Sequence, residues 1–177
     1  MPTNFSAPNP YQPIPMRVLR AYYESNDRTL KTLELSFENQ VDRVAFFKKF
    51  NPGQFCQLSL FGKGESPLGV ASAAWEGDFV RFTIQRMGSV TKALHGLKPG
   101  DPLGMRGPLG NGFPLADWKG KNLVIIGGGC AFSTLYALTK HVQHPQNRPD
   151  FGQLTVIYGA RSSGLCMYKH DIQSWYQ

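Results

Sequence analysis

A chain of 177 residues with 41% hydrophobic and 12% aromatic content can bury a real core, which excludes a disordered or low-complexity protein and allows one or two small domains. The formal charge of +7, from 19 basic and 12 acidic residues, favours anionic partners such as phosphate cofactors or acidic proteins. The basic residues are scattered, "FFKKF" and "WKGK" being the only short clusters, and no nucleic-acid motif is present, so nucleic acid is not an expected partner. Cys56, Cys130 and Cys166 stand far apart with no CxxC pair, which argues against a disulfide framework, zinc or an iron–sulfur cluster and fits a reducing, cytoplasmic setting. No leader pattern and no run near ~18 apolar residues occurs, so membrane insertion is not expected.

Five of the thirteen prolines fall in residues 1–15, which predicts an extended arm without regular structure. Residues 16–116 read as short strands separated by turns, the pattern of an antiparallel barrel or sandwich. "RVLRAYY" and "LKTLELSF" flank the polar turn "ESNDRT", and Leu33, Leu35 and Phe37 alternate with Thr32, Glu34 and Ser36, as in a hairpin. "GQFCQLSLF" and "DFVRFTIQR" are further strands, with "WEGD" as the turn before the second, and "VTKALHGL" is a short helix candidate. Near Asp117 the pattern changes. The buried strand "NLVIIG", a glycine turn, a helix over roughly Thr134–His144, the loop "HPQNRPD" and the strand "QLTVIYGA" make a βαβ unit with a parallel pair in residues 120–177. Two parallel strands and one helix bury little surface, so this half is expected to lean on the barrel, a partner or further sequence.

Three stretches carry chemistry. In "IQRMGSVTKALHGL", Gly88, Ser89, Val90 and Thr91 follow a strand and start a helix, which suits either an anion site or a plain cap with Ser89 or Thr91 as N-cap. "KPGDPLGMRGPLGNGFPL" holds five glycines and four prolines, which suits a segment wrapping a flat ligand or tight barrel turns. "VIIGGGCAFSTLYAL" enters three glycines from a strand, but a GxGxxG fingerprint starting at Gly127 requires glycine where Phe132 stands, so the Rossmann fingerprint fails. His95, His141, His144 and His170 lack metal spacing, the pair His141/His144 reads as a complement to a helix dipole, and no Ser/His/Asp arrangement nominates a catalytic side chain. Glu65 reads as a solvated or capping carboxylate.

The order of the blocks "GQF…ESPLGVAS…VRFTIQRMGSVTKALHGLKPGDPLGMRGPLGNGFPL…GKNLVIIGGG…LTVIYGARS…YK" resembles the ferredoxin–NADP reductase superfamily over roughly Asn9 to Trp175, with "RGPLGNGFP" its most specific piece. It is most similar to the sulfhydrogenase gamma, anaerobic sulfite reductase B and dihydroorotate dehydrogenase electron-transfer subunits. The resemblance implies a six-stranded antiparallel FAD-binding barrel at 16–116 followed by a truncated Rossmann-like parallel domain for NAD(P)H at 120–177. It implies an FAD-binding electron-transfer subunit of an oxidoreductase complex, passing electrons between NAD(P)H and the iron–sulfur or other redox centre of partner subunits. Two alternatives are a non-catalytic docking subunit with a degenerate nucleotide half and a fragment of an NAD(P)H-dependent reductase.

Carried over by position, the flavin strand of the family falls on Pro67, Leu68, Gly69 and Val70. Ser66 stands where many members have an arginine for the flavin phosphate, which leaves the diphosphate to Gly88, Ser89, Val90, Thr91 and Arg86. Gly69 replaces a hydroxyl at the flavin edge and offers its N–H alone, a change of about 0.5–1.5 kcal/mol that tunes a flavin rather than expelling it. The NAD(P)H turn falls on Gly128, Gly129, Cys130 and Ala131, with Ala131 in place of the last family glycine and Thr134, an expected N-cap, in place of proline. The Ala131 methyl is expected to cost ~1 kcal/mol where the backbone needs positive φ or close contact with pyrophosphate.

Overall fold

The computed structural model describes residues 9 and 11–175. Its first part is a six-stranded antiparallel sheet in the order β4-β3-β6-β1-β2-β5, formed by β1 (Ile14–Tyr23), β2 (Leu30–Phe37), β3 (Phe55–Leu60), β4 (Gly64–Gly69), β5 (Val80–Gln85) and β6 (Pro102–Leu109). The sheet rolls into a barrel. Just past β4, the Ala71 N–H donates to the Arg81 carbonyl of β5 at 2.8 Å, which brings the two outer strands together. The alternating residues Leu33, Leu35, Phe82 and Ile84 point inward with Met16, Val18, Leu58 and Met105 to form its core.

Three details differ from the sequence reading. β1 begins at Ile14 rather than Met16, because Ile14 and Pro15 pair with Met105 and Gly104 of β6; most of the expected arm lies outside the described residues. A helix, α1 (Gln40–Lys49), interrupts the strands: Asn39 caps it by accepting from the Asp42 N–H at 2.8 Å, and Phe46 locks it into the core. The glycine- and proline-rich run does not form turns alone. Its centre is β6, paired on both sides with β1 and β3.

The second part holds β7 (Leu123–Gly128) and β8 (Leu154–Gly159), paired in parallel register, with α3 (Phe132–Gln143) between them and α4 (Lys169–Ser174) at the end. The helix α2 (Ser89–Gly96) belongs to the barrel and follows β5. The α/β part leans on the barrel through an apolar cluster in which Leu30 and Ala71 meet Phe132, Tyr136, Met167 and Tyr168. Around it lies a polar network: Arg81 donates to Glu34 Oε1 at 3.0 and 3.1 Å, and Lys140 of α3 reaches Glu76 at 2.6 Å. This contact explains why β2 is buried on both faces, with Thr32 and Glu34 as enclosed as Leu33. One face of β7–β8 is covered by α3, and the other exposes Val124, Ile126 and Ile157.

Glu34 is 1% exposed, and its charge is met by two arginines, the buried Arg81 on Oε1 and the more exposed Arg20 on Oε2. Arg81→Ala is expected to lower stability by about 1.5–3 kcal/mol in urea unfolding, the cost of lost hydrogen bonds to a buried carboxylate that Arg20 still holds. Replacing Glu34 and Arg81 together with leucine and methionine is expected to recover most of that loss.

Candidate functional site

A cavity of about 430 Å3 opens between the two parts. The barrel contributes Asp27, Thr29 and Leu30 from the β1–β2 hairpin and Gln85 and Arg86 from the end of β5. The α/β part contributes Gly129 and Cys130 from the turn after β7, and Ala160, Arg161 and Leu165 from the loop after β8. This is the carboxyl end of a parallel sheet, where strand-to-helix turns present backbone N–H groups to ligands. Neither Arg86 nor Arg161 forms a salt bridge among the described residues, so two guanidinium charges face the cavity side by side with a glycine turn.

The turn divides its tasks among three glycines. Gly127 allows close packing, since a Cβ there would lie 2.7 Å from Phe132 and 2.8 Å from Leu135 of α3. Gly128 ends the strand, and Gly129 takes the left-handed conformation at φ +51° with open space around it. Ala131 is at φ −64° and ψ −19°, an ordinary helical conformation. The backbone part of the cost expected at Ala131 is therefore not incurred, because positive φ falls two residues earlier, at Gly129. Cys130 is half-buried, with its Sγ 3.8 Å from the Thr83 carbonyl of β5, and burial pushes its thiol pKa up. It seats the turn against the barrel as a neutral packing group.

Thr134 is not an N-cap. Ala131 holds that position, and the Thr134 hydroxyl donates to the Ala131 carbonyl at 3.3 Å inside the first turn of α3. Its methyl lies over Gly69, 2.2 Å from where a Cβ on that glycine would stand. Glycine at 69 and threonine at 134 thus form a matched pair at the seam between the two parts.

The remaining nominated residues lie outside the cavity. At the start of α2, Gly88 is the N-cap, and Thr91 Oγ1 accepts from the N–H groups of Met87 and Gly88 at 3.0 and 2.9 Å. That is the reach-back half of a capping box, so the Thr91 hydroxyl is engaged while Ser89 stays exposed. Val90 packs beside Gly64. Pro67 is exposed on the outer strand β4, Leu68 packs on the barrel core, and Gly69 keeps its backbone at the seam. Val70 is fully buried and its N–H donates to the Gln54 carbonyl. Glu65 is engaged by Arg106 at 2.6 and 3.0 Å. Of the nominated residues, Arg86, Gly129 and Cys130 line the cavity, with Gly128 and Ala131 flanking it along the chain. Arg161, visible only as part of "YGARS", and Asp27, one of several polar residues in a turn, were not nominated by the sequence.

No known family profile matches the chain. The sulfhydrogenase 1 gamma subunit of Pyrococcus furiosus is 36% identical over 162 residues, covering 91% of this chain and 53% of that protein. A probable dihydroorotate dehydrogenase B (NAD+) electron transfer subunit of Thermococcus kodakarensis is 42% identical over 114 residues, covering 64% of this chain and 43% of the relative. The chain spans about half the length of the curated relatives it matches. Among solved structures, an NADH-dependent reduced ferredoxin–NADP oxidoreductase superposes with a TM-score of 0.70 at 25% identity, over 87% of this chain and 51% of that one. Ferredoxin–NADP+ reductase from Plasmodium falciparum does so with a TM-score of 0.74 at 14% identity, over 92% and 65%.

The geometry of the turn sets opposite expectations for two substitutions. Gly127→Ala drives a methyl into Phe132 and Leu135 and is expected to cost about 1–3 kcal/mol. Ala131→Gly is expected to destabilise by about 0.5–1 kcal/mol through backbone entropy. Thermal denaturation of the two variants reads both.

Proposed function

Because the chain belongs to the ferredoxin–NADP reductase superfamily, we propose that it is an FAD-binding electron-transfer component of a cytoplasmic oxidoreductase complex. Its barrel, about residues 16–116, takes the flavin. The half beyond about residue 120 takes a pyridine nucleotide, and partner subunits with iron–sulfur or other redox centres exchange the electrons. The observation that carries this reading is the cavity between the parts, where the unpaired Arg86 and Arg161 flank the Gly129 turn. Two guanidinium groups beside free backbone N–H groups suit a pyrophosphate in charge and in donor geometry. The volume of about 430 Å3 falls in the range of sites that enclose part of a nucleotide.

The barrel residues are compatible with a flavin dinucleotide. Open space surrounds Gly88, and the exposed Ser89 hydroxyl, with the first N–H groups of α2, would hold its diphosphate. The outer strand from Pro67 to Gly69 would lie along the ring. Bound FAD would supply the one- and two-electron chemistry, and the chain's own groups would bind it, orient it and limit water at the seam. Gly128, Gly129, Cys130 and Ala131 would present the turn to NAD(P)H. No helix among the described residues is long and apolar enough to cross a membrane.

One observation favours a second reading, a docking component without flavin: the Thr134 methyl closes over Gly69, at the edge of the strand the ring would need. The visible spectrum of the purified chain after incubation with FAD separates the two. Flavin absorption bands that stay with the protein through gel filtration are expected. A protein that remains colourless would remove the flavin reading and leave the docking one. With FAD bound, anaerobic addition of NADH or NADPH tests the nucleotide half by loss of flavin colour.

A further inference from the structure

The cavity has one acidic side chain, and it comes from the barrel. Asp27 sits at the tip of the β1–β2 hairpin, and the tip is pinned to the α/β part at two points. The Asn26 N–H donates to the Gly164 carbonyl at 3.0 Å, and the Tyr168 N–H donates to Glu24 Oε2 at 3.0 Å. The carboxylate is anchored through one oxygen only. Asp27 Oδ1 accepts from the Ser25 hydroxyl at 2.7 Å, the Thr29 N–H at 3.0 Å and the Thr29 hydroxyl at 2.7 Å. Oδ2 accepts from no group among the described residues. Those bonds hold the carboxyl below its usual pKa, led by the Ser25 hydroxyl, so at neutral pH it is an acceptor and not a donor.

A ligand made of phosphate alone leaves this group unexplained, because an anion beside Arg86 and Arg161 meets repulsion from Asp27. A ligand carrying hydroxyl donors next to its phosphates satisfies all three charges: the phosphates take the arginines and the turn, and a vicinal diol donates to the free carboxylate oxygen. We infer that Asp27 is the group that reads ribose in this cavity, so that the ligand is a nucleoside diphosphate whose sugar is held by the barrel and whose phosphates are held between Arg86, Arg161 and the Gly129 turn. This inference rests on the cavity being a nucleotide site. It adds that the site is bipartite: the barrel hairpin selects the sugar, and the α/β part holds the phosphates. An adenosine diphosphate group occurs in both FAD and NADH, so the chemistry admits either source.

Asp27→Asn tests the role without dismantling the hairpin, since the asparagine Oδ1 still accepts from Ser25 and Thr29 while the free oxygen becomes an NH2 donor. Binding of ADP and of inorganic pyrophosphate to the full chain is measured by calorimetry for both proteins. The expected result is an ADP Kd about tenfold weaker in Asp27→Asn, as for loss of a hydrogen bond to a charged acceptor, with pyrophosphate bound as well as before or better. Equal weakening of both probes, the mark of a merely structural role, overturns the inference, as does an unchanged ADP Kd. If neither probe binds the unaltered chain, the nucleotide reading of the cavity falls and the inference falls with it. Titrations with FAD and NADH identify the source: a tenfold loss for one alone assigns the ribose to that cofactor, and a loss for neither overturns the role.

Discussion

Arg81 ties the barrel to the α/β part, and the position of the cavity follows from it. Its guanidinium donates twice to the buried Glu34, lies 3.5 Å from Glu76 and reaches the Tyr136 hydroxyl of α3 at 3.4 Å. Lys140 returns a charge to Glu76 from the same helix, and Tyr136 donates to Asp171 of α4. Burial, reinforced by Asp171, holds the Tyr136 hydroxyl well above its usual pKa, so it remains a donor. A buried network of this kind is weak evidence for net stability. It constrains geometry strongly, because a shift that unpairs one member strands a charge in an apolar setting. The α3 axis is therefore held against β2 and β5, and the turn at its start comes to rest beside Arg86.

A second link runs through hydroxyls. Thr32 and Thr83 share a hydrogen bond at 2.7 Å, and Thr83 meets the Tyr168 hydroxyl at 2.5 Å. Tyr136 and Tyr168 stack at 3.9 Å between centroids, which joins this link to the Arg81 network. Together with the hairpin tip that docks at Gly164, these contacts fix both walls of the cavity. The Gly69–Thr134 pair then sets how closely the seam can shut.

Local patterns made much of this visible in the sequence. Alternation placed β2 and β5, continuous apolar runs placed β7 and β8, and the glycines marked the turn between β7 and α3. What stayed hidden depends on contacts distant in sequence. The polar face of β2 reads as half-exposed, yet Glu34 is enclosed because α3, a hundred residues later, covers it. The helix α1 was obscured because its outward residues Val41 and Val44 are apolar and its end is basic, which leaves a weak amphipathic signal. Nothing local reveals that positive φ falls at Gly129 rather than Ala131, or that Asp27 and Arg161 share a cavity. The family resemblance supplied the order of the blocks but could not phase the turn.

The α/β part has its own demand for support. Parallel strands are normally covered on both faces, and here Val124, Ile126 and Ile157 are bare on one of them. Its stability is thus borrowed from the barrel through Arg81 and the tyrosine stack. Native-state hydrogen exchange in rising urea measures this directly by comparing the amides of β7 and β8 with those of β2 and β5. The account predicts that both sets open together with one free energy, and that Arg81→Ala lowers the opening energy of β7 and β8. Exchange of β7 and β8 through a separate opening that Arg81→Ala leaves unchanged would contradict it.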